Sequence, residues 1–504
     1  KTADFMTIVN RKVLKPKDFE INLLMARCLI KLLKYKAAFD IYNELILIDS
    51  NNIEISLEFC KYLLDFKETD KAIEILDKIN SKKDYLNEIT MLYGVAKLNK
   101  ELPKEAKELF LEVLNFDKKS SNLYTLIGIA DEKLNMYSEA IKNHKKAIEL
   151  DPGNFIAYNN LAIITSFFGK IKEAITYLHK SIEINEEYHE GIYKLGQLQL
   201  YSMKFKEGWK NFESRWFCSE YNHKKINTNK MQLKEINKKT TLIVWSEQGI
   251  GDQIMYGSMF DDLSKQVEQL IVKFDERLIP VFKNSHPQIT FLRNEKDLAE
   301  SDFDYHLPFA SIGSFIRNSK NDFLKNIYPY ISGDQNITSR IKRKYKIDNK
   351  LLVGISWSSS NAMLYDKKSI SLKKLLPILS MENINFIDLE YKDTIKERDD
   401  LQKKHGIKIF KENTIDNYND IKGLTSIIEA CDFVITCSNV NAHISGALNK
   451  KTFLLLPLGR GRLWNWSEKN GKSFWYPSVN ILQQEIDNSW IEPINKLKEK
   501  LKNE

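Results

Sequence analysis

The feature that most restricts what this chain can fold into is a period. Ala38, Ala72, Ala106, Ala140, Ala174 and Gly208 stand 34 residues apart. So do Ala26, Cys60, Gly94, Gly128, Ala162 and Gly196, and so do the larger Tyr42, Leu76, Phe110, His144, Leu178 and Phe212. Small residues in step with large ones describe helix pairs. The small positions let two antiparallel helices cross closely, and the large ones fill the contact with the next pair. Turn chemistry closes a unit at Asp151-Pro152-Gly153. One pair cannot bury its apolar face alone, so the period predicts a stacked α-solenoid.

The pattern resembles the tetratricopeptide repeat. The unit Ser121 to Asn154 carries Tyr124, Gly128, Tyr137, Ala140, Ala147 and Pro152 at the family's positions, and the first two units match less well. The resemblance predicts a superhelix over residues 1–222, with six repeats from about residue 19, and a concave face that takes a protein or peptide. His144, His179 and His189 read as structural or solvent-facing in such an array.

The period fades after Gly208–Phe217, and a polar stretch over 223–240 reads as a linker or docking segment. Short apolar runs follow at Thr241–Trp245, Gln269–Phe274, Ile289–Leu292, Leu351–Trp357, Asn385–Leu389, Asp432–Thr436 and Thr452–Pro457, with helical stretches between them. Strands alternating with helices predict parallel sheets. The span suffices for two α/β domains, 241–340 and 341–504, divided at the lysine-rich segment Ser339–Lys350.

Totals exclude several classes. No apolar run approaches the roughly 18–20 residues a membrane span needs, and Lys1 onward shows no leader pattern, which predicts a cytoplasmic protein. Five cysteines form no CxxC pair and eight histidines form no HExxH or HxxxH site, so no metal is expected. Asp302 and Asp304 have the DxD form of metal-dependent transferases, but they read as the start of a strand. The net charge of +8 is lysine spread along the chain, not a basic stripe with aromatics, which argues against nucleic acid. It suits mild attraction of an anionic substrate.

Two stretches carry chemistry. In VWSEQGIGDQIMYGS, Val244 to Ser258, a strand passes through Gln248, Gly249 and Gly251 into a helix that begins near Asp252. The glycines are expected to let the backbone turn tightly and leave room for a ligand. Asp252 reads either as a helix cap or as a general base at a cleft mouth, and both can hold. From Cys431 to Pro457 a strand ends at Thr436, Ser438 and Asn439 offer caps, and a helix with small residues follows through Val440, Asn441 and His443. A helix start behind a strand is an anion site, because its free N–H groups and dipole favour phosphate oxygens. His443 reads as a core histidine or as a ligand-facing one.

Together, SEQGIGDQI and SNVNAHISGALNKKTFLLLP look like bacterial glycosyltransferases of the heptosyltransferase-like type. VGISWSSSNAMLYDKKSISLKKLLPIL, GRGRLWNW and WYPSVNILQQ are also similar to that family, in order along the chain. The resemblance implies a GT-B fold, two Rossmann-like domains, behind the tetratricopeptide array: an α plus α/β chain. It implies that Asp252 is the catalytic carboxylate on the acceptor side. It implies that a nucleotide-sugar donor, with no resident cofactor or metal, lies against Ser356, Trp357, Ser358, Lys368, Glu390, Ser438, Asn439, Val440, Asn441 and His443. Arg460 and Arg462 flank Gly461 and could clamp phosphate or an acidic sugar, or be exposed loop charges. Trp464, Trp466, Trp475 and Trp490 suit core and closure packing better than sugar stacking. Ser438-Asn439 departs from the family's Asp-Thr. The expected function is transfer of a sugar to an acceptor hydroxyl, Ser or Thr of a protein recruited by the array, flagellin being one such target by resemblance. The rival is a repeat scaffold with an inactive transferase half.

Overall fold

In this computed structural model, the described residues are 19–502 except 33, 80–82, 219–225, 227, 294–298, 325–327, 360–363, 460, 462 and 486–488. The chain divides into two compact units, residues 1–161 and 162–504.

The first unit is a helical solenoid. Its described helices are Phe19–Lys31, Tyr35–Ile48, Ile53–Asp65, Thr69–Ile79, Leu86–Asn99, Pro103–Leu114, Ser121–Lys133 and Tyr137–Leu150, and Phe155–Phe167 begins in it. The periodic residues make the helix crossings as expected. Ala26, Ala38, Ala72, Ala106 and Ala140 are fully buried. A Cβ on Gly94 would lie 2.4 Å from the Phe110 ring, and one on Gly128 would lie 2.6 Å from the His144 ring. A second period, invisible in residue types, lies in the backbone. Lys67, Glu101, Asn135, Gly169 and Met203 all have positive φ, at 61°, 58°, 60°, 73° and 60°. Each follows the first helix of its pair. The next N–H reaches back to close that helix: Glu68 to the Leu63 carbonyl at 2.8 Å, Leu102 to Lys97 at 2.9 Å and Met136 to Asp131 at 2.8 Å. This is the Schellman closure that satisfies the last helical carbonyls.

The second unit holds the remaining described repeat helices, Ile171–Ile184, His189–Tyr201 and Phe205–Phe212, together with the strands among the described residues. The division expected at 222–240 is therefore displaced. Phe205, Trp209 and Phe212 are buried in one apolar cluster with Leu242 and Val244 of the first strand and Phe309 and Ile312. The Trp209 indole donates to the Arg317 carbonyl at 2.8 Å. Apolar side chains on the last repeat have become core for the α/β part, which sequence spacing cannot reveal. The expected linker is docked too: Leu233 is buried, and its N–H donates to the His306 carbonyl at 2.9 Å.

Strands β1 (Thr241–Trp245), β2 (Gln269–Lys273), β3 (Thr290–Leu292) and β4 (Tyr305–Pro308) form a parallel sheet in the order β3-β2-β1-β4. Strands β5 (Leu351–Ile355), β6 (Ile384–Asp388), β7 (Ile409–Phe410), β8 (Phe433–Cys437), β9 (Thr452–Leu456), β10 (Glu468–Lys469), β11 (Lys472–Ser473) and β12 (Val479–Gln483) form a second sheet. Its order is β10-β11-β12-β9-β8-β5-β6-β7, parallel except for β10 and β11. Both sheets reverse their winding direction beside their first strand, between β1 and β4 and between β5 and β8. The loops after β1, β5 and β8 therefore emerge where α/β sheets open a crevice.

The boundary expected at residue 340 falls inside the helix Gln335–Tyr345, which packs on the helix Ile421–Ala430 of the second sheet. The Asp334 N–H donates to Ser426 Oγ at 2.7 Å, and the Tyr345 hydroxyl donates to the Lys411 carbonyl at 3.1 Å. The crossover between lobes thus precedes Asp334. Tyr330 carries it: its N–H donates to the Ala447 carbonyl at 3.2 Å and its hydroxyl to the Ile254 carbonyl at 3.0 Å.

Candidate functional site

The loop after β1 leads into the helix Ile250–Gly257, and the loop after β8 leads into the helix Val440–Ala447. These two helices pack against each other. A Cβ on Gly251 would lie 2.7 Å from His443 Cδ2, so the first lobe can approach the second this closely only with glycine there. Gly249 differs from expectation. Its φ is −67°, and a Cβ there would meet nothing nearer than 3.6 Å, so neither a tight turn nor a close approach demands glycine.

Asp252, in the first turn of its helix, faces the second lobe. Asn465 Nδ2 reaches its Oδ1 at 3.5 Å. Burial raises the carboxyl to about 6, against the pull of the Lys368 ammonium, while buried Glu247 pushes the same way as burial. Lys368 is 4% exposed, and its ammonium has no hydrogen-bond or ion-pair partner among the described residues. Burial lowers its pKa, opposed by the Cys437 thiol and Asp252. His443 is depressed to about 3, first by burial and then by Lys368, so it is neutral near pH 7. Its Nδ1 lies 3.0 Å from the Tyr476 hydroxyl.

Asn439 caps the helix Val440–Ala447 as its residue type predicts. Its Oδ1 accepts from the Asn441 N–H and the Thr436 hydroxyl, each at 3.0 Å. Its amide donates to Ser356 Oγ at 3.1 Å and to the Ser358 carbonyl at 3.0 Å, tying the loop after β8 to the loop after β5.

Several expected ligand contacts are committed elsewhere. Glu390 is buried, and its carboxylate accepts from the N–H groups of Trp357 and Ser358 at 2.6 and 2.7 Å and from the Ser358 hydroxyl. It shapes the turn after β5 instead of presenting oxygens to a ligand. Trp357 is 2% exposed, packs in the second lobe's apolar core and donates its indole N–H to Glu397 at 2.7 Å. Ser438 Oγ accepts the Trp466 indole N–H at 3.0 Å. Ser356 and Ser358 are buried in the same turn. Gln248 has a buried Nε2 without a partner among the described residues. Arg460 and Arg462 lie outside the described residues. Asp304 accepts the Thr241 N–H at 2.8 Å and Asp302 the Ala299 N–H at 2.8 Å, so both serve backbone. Trp466, Trp475 and Trp490 are buried. Among the described residues, no cluster could hold a metal ion, and no helix is long and apolar enough to cross a membrane.

Sequence reading missed the support behind Asp252. Arg215, just past the last repeat helix, is fully buried and pairs with Glu247 at 3.1 Å and Glu213 at 2.9 Å. Its guanidinium also donates to Ser311 Oγ at 2.9 Å. Glu247 in turn accepts the N–H groups of Phe309 and Ala310 at 3.1 and 3.2 Å. The signal available was the carboxylate of Glu247, inside the loop already singled out. A second omission is the wall of a pocket between the lobes, about 780 Å³ of space partly open to solvent. It is lined by Ile250 and Arg277 from the first lobe and by Leu389, Tyr391, Asn417, Tyr418, Asn439, Val440 and Asn441 from the second.

Models of the tetratricopeptide repeat family match residues 121–154 and 145–176. Protein FlbA of Caulobacter vibrioides is 23% identical over 425 residues, 72% of this chain and 70% of that protein, a length the helical repeats alone cannot supply. Hsp70-Hsp90 organizing protein 3 of Arabidopsis thaliana is 22% identical over 172 residues, 34% of this chain and 29% of that protein. A thermophilic TPR protein of Thermus thermophilus is 14% identical in its crystal structure, covering 36% of this chain and 99% of that chain with a TM-score of 0.33. The chain thus carries tetratricopeptide repeats followed by an α/β part with two largely parallel sheets, and it has a bacterial relative over most of its length.

Proposed function

We propose that the chain is a glycosyltransferase with a GT-B arrangement, moving a sugar from a nucleotide-sugar donor to an acceptor hydroxyl. The observation that carries the reading is one arrangement. A carboxyl raised by burial to about 6, Asp252, lies within electrostatic reach of the Lys368 ammonium and on the helix that packs against the capped helix Val440–Ala447 of the other lobe. Such an arrangement suits a displacement at a sugar carbon. Asp252 takes the proton of the acceptor hydroxyl as its oxygen bonds to the anomeric carbon. The bond from that carbon to the diphosphate breaks, and its electron pair stays on the diphosphate oxygen. Lys368 and the positive end of the dipole of the helix Val440–Ala447 stabilise the charge that develops there. The positive end of a helix dipole and a lysine are groups suited to this purpose. The repeats suit recruitment of a protein acceptor with Ser or Thr hydroxyls, flagellin-like proteins among them.

Asp252→Asn tests the assignment. Transfer is expected to fall by about 10²–10⁴-fold, the usual weight of a general base, while calorimetric binding of the nucleotide-sugar stays within about twofold. Normal transfer by that variant would end the assignment. The scaffold reading has one observation in its favour: Ser438, where related transferases carry Asp, is engaged by Trp466. A thermal-shift screen of UDP-, GDP-, ADP- and CMP-sugars separates the two, because a scaffold gains no stability from any of them.

A further inference from the structure

The end of the repeat array and the loop that carries Asp252 meet at one buried carboxylate. Glu247 follows β1 and precedes Asp252 in the same short loop. Its Oε1 accepts from the Arg215 guanidinium at 3.1 Å and the Ala310 N–H at 3.2 Å, and its Oε2 accepts from the Phe309 N–H at 3.1 Å. Those N–H groups open the helix Phe309–Ile316. The Arg215 guanidinium also donates to Glu213 Oε1 at 2.9 Å, Ser311 Oγ at 2.9 Å and the Phe212 carbonyl at 3.2 Å. Aromatic packing repeats the tie. The Trp216 and Trp245 rings stand 5.7 Å apart, and a Cβ on Gly313 would lie 2.3 Å from the Trp209 ring. Strand, loop and helix are therefore held at one point by residues in and just past the last repeat helix.

A buried ion pair contributes little net stability, because desolvation offsets most of the attraction. Its directed bonds fix orientation instead. What they orient is short. Gln253 Nε2 donates to the Gln248 carbonyl at 2.9 Å and the Gln253 N–H to the Gly249 carbonyl at 3.0 Å, so the loop beyond Glu247 closes directly onto the helix of Asp252. The Glu247 charge acts at the same place. Burial is the main reason the Asp252 carboxyl is raised, Lys368 opposes it and Glu247 adds to it. Of the other groups there, His443 against Gly251 is neutral and Tyr476 stays protonated. Glu213 and Tyr256 lie on the Arg215 side of the cluster.

We propose that Arg215 and Glu247 are positioning residues for Asp252, so that the end of the repeat array is a working part of the interlobe site as well as a recruiting surface. The proposal rests on the reading of Asp252 as a base, and its content is what holds that base. Arg215 fixes Glu247, and Glu247 fixes the start of the loop whose end presents the carboxyl to an acceptor hydroxyl. A guanidinium is needed because its donors, set in a rigid fork, serve two carboxylates, a hydroxyl and a carbonyl at once.

The first part of the test needs no substrate. All 8 tryptophans, Trp209 to Trp490, lie in the second unit, so their fluorescence in chemical denaturation of the full chain follows that unit. Subtracting Asp252→Asn from the unaltered chain at each pH isolates Asp252. Its folded carboxyl holds a proton to about 6, so its contribution to stability is present below the ordinary carboxylate range and is lost as pH rises to about 6. In the same subtraction made on Glu247→Gln, the loss is expected to be complete on the order of half a pH unit lower. A carboxylate that only packs would leave it in place. Arg215→Lys keeps the charge and loses the fork. Amide exchange over residues 246–252 is expected to quicken on the order of tenfold in that variant, with β1 unchanged. Turnover of whichever UDP-, GDP-, ADP- or CMP-sugar stabilises the chain is expected to fall about 10–100-fold, at a KM within about twofold. An unmoved loss in Glu247→Gln, or unchanged exchange in Arg215→Lys, would overturn the positioning and leave the base assignment standing. If Glu247→Gln does not fold, the exchange decides. Both shifts in a chain that turns over no sugar nucleotide would leave the positioning standing and overturn the transferase reading.

Discussion

One polar side chain of the repeats and a group of them in the α/β part are buried for different reasons. In the repeats, the large position of the fourth period is His144, fully buried with neither ring nitrogen partnered among the described residues, and burial depresses it to about 4. The equivalent Phe110 fills the same kind of site over Gly94 with carbon alone. In the α/β part, buried Arg215, Glu247, Glu390 and Asn439 are bonded into networks that hold loops at the carboxyl ends of strands. The crossing over Gly128 needs volume, and a nitrogen there serves nothing, unlike the buried Asp131, which accepts from Lys107 at 2.6 Å and Asn143 at 2.8 Å. A loop cluster needs orientation, which only directed bonds supply. Lys368 and His144 both have no hydrogen-bond partner among the described residues, but Lys368 lies where oriented loops of two lobes converge.

Four measurements would break or sharpen this contrast. The largest effect is expected from Arg215→Met, which leaves Glu247 buried without its cation. It should lower the stability of the α/β part by about 3–5 kcal/mol in chemical denaturation. A loss below 1 kcal/mol would mean the network is ornamental. Next, for the proposed transferase activity, is the acid limb of transfer. Asp252 must be ionised to act as a base, and burial raises it to about 6, so activity should fall about tenfold per unit below that pH. A flat profile between pH 5 and 7 on a chain that stays folded would contradict the base role.

His144→Phe comes third, expected to stabilise the repeats by about 1–3 kcal/mol through removal of unsatisfied buried nitrogens. The sign with pH follows from the depressed value: the unfolded imidazole takes a proton first, so wild-type stability declines as pH falls from the ordinary histidine range towards about 4. The variant should lack that decline. The smallest effect is expected from Lys67→Gly. Lys67 is exposed with φ 61°, and glycine should relieve about 0.5–1 kcal/mol of left-handed strain in thermal melting.

The legible parts of the candidate site were those built from local chemistry. Asn439 as a cap, Asp252 behind a strand in a helix's first turn, and the alternation of strands and helices all follow from short stretches. Glu390 and Trp357 were misread for a common reason. A residue just past a strand looks the same in sequence whether it faces a ligand or folds back on its own turn, and here backbone N–H groups without other partners drew the carboxylate inward. Asn417, Tyr418 and Arg277 gave no signal at all. Arg277 meets the Tyr418 carbonyl 141 residues away, and none of the three residue types is unusual for a loop.

What the chain's order of residues determined by itself is the repeating half: small and large side chains at fixed spacing can pack in one register, because each contact involves neighbours in sequence. The left-handed turn shared by lysine, glutamate, asparagine, glycine and methionine at 67, 101, 135, 169 and 203 is local too, closed within five residues, though no residue type announces it. The tertiary structure alone decided two things. It recruited the last repeat into the α/β core, and it brought Asp252, Lys368 and the Asn417–Asn441 pocket to one interlobe region. Each depends on contacts between distant segments, whose free energy becomes available only once the sheets have formed and brought their loops together.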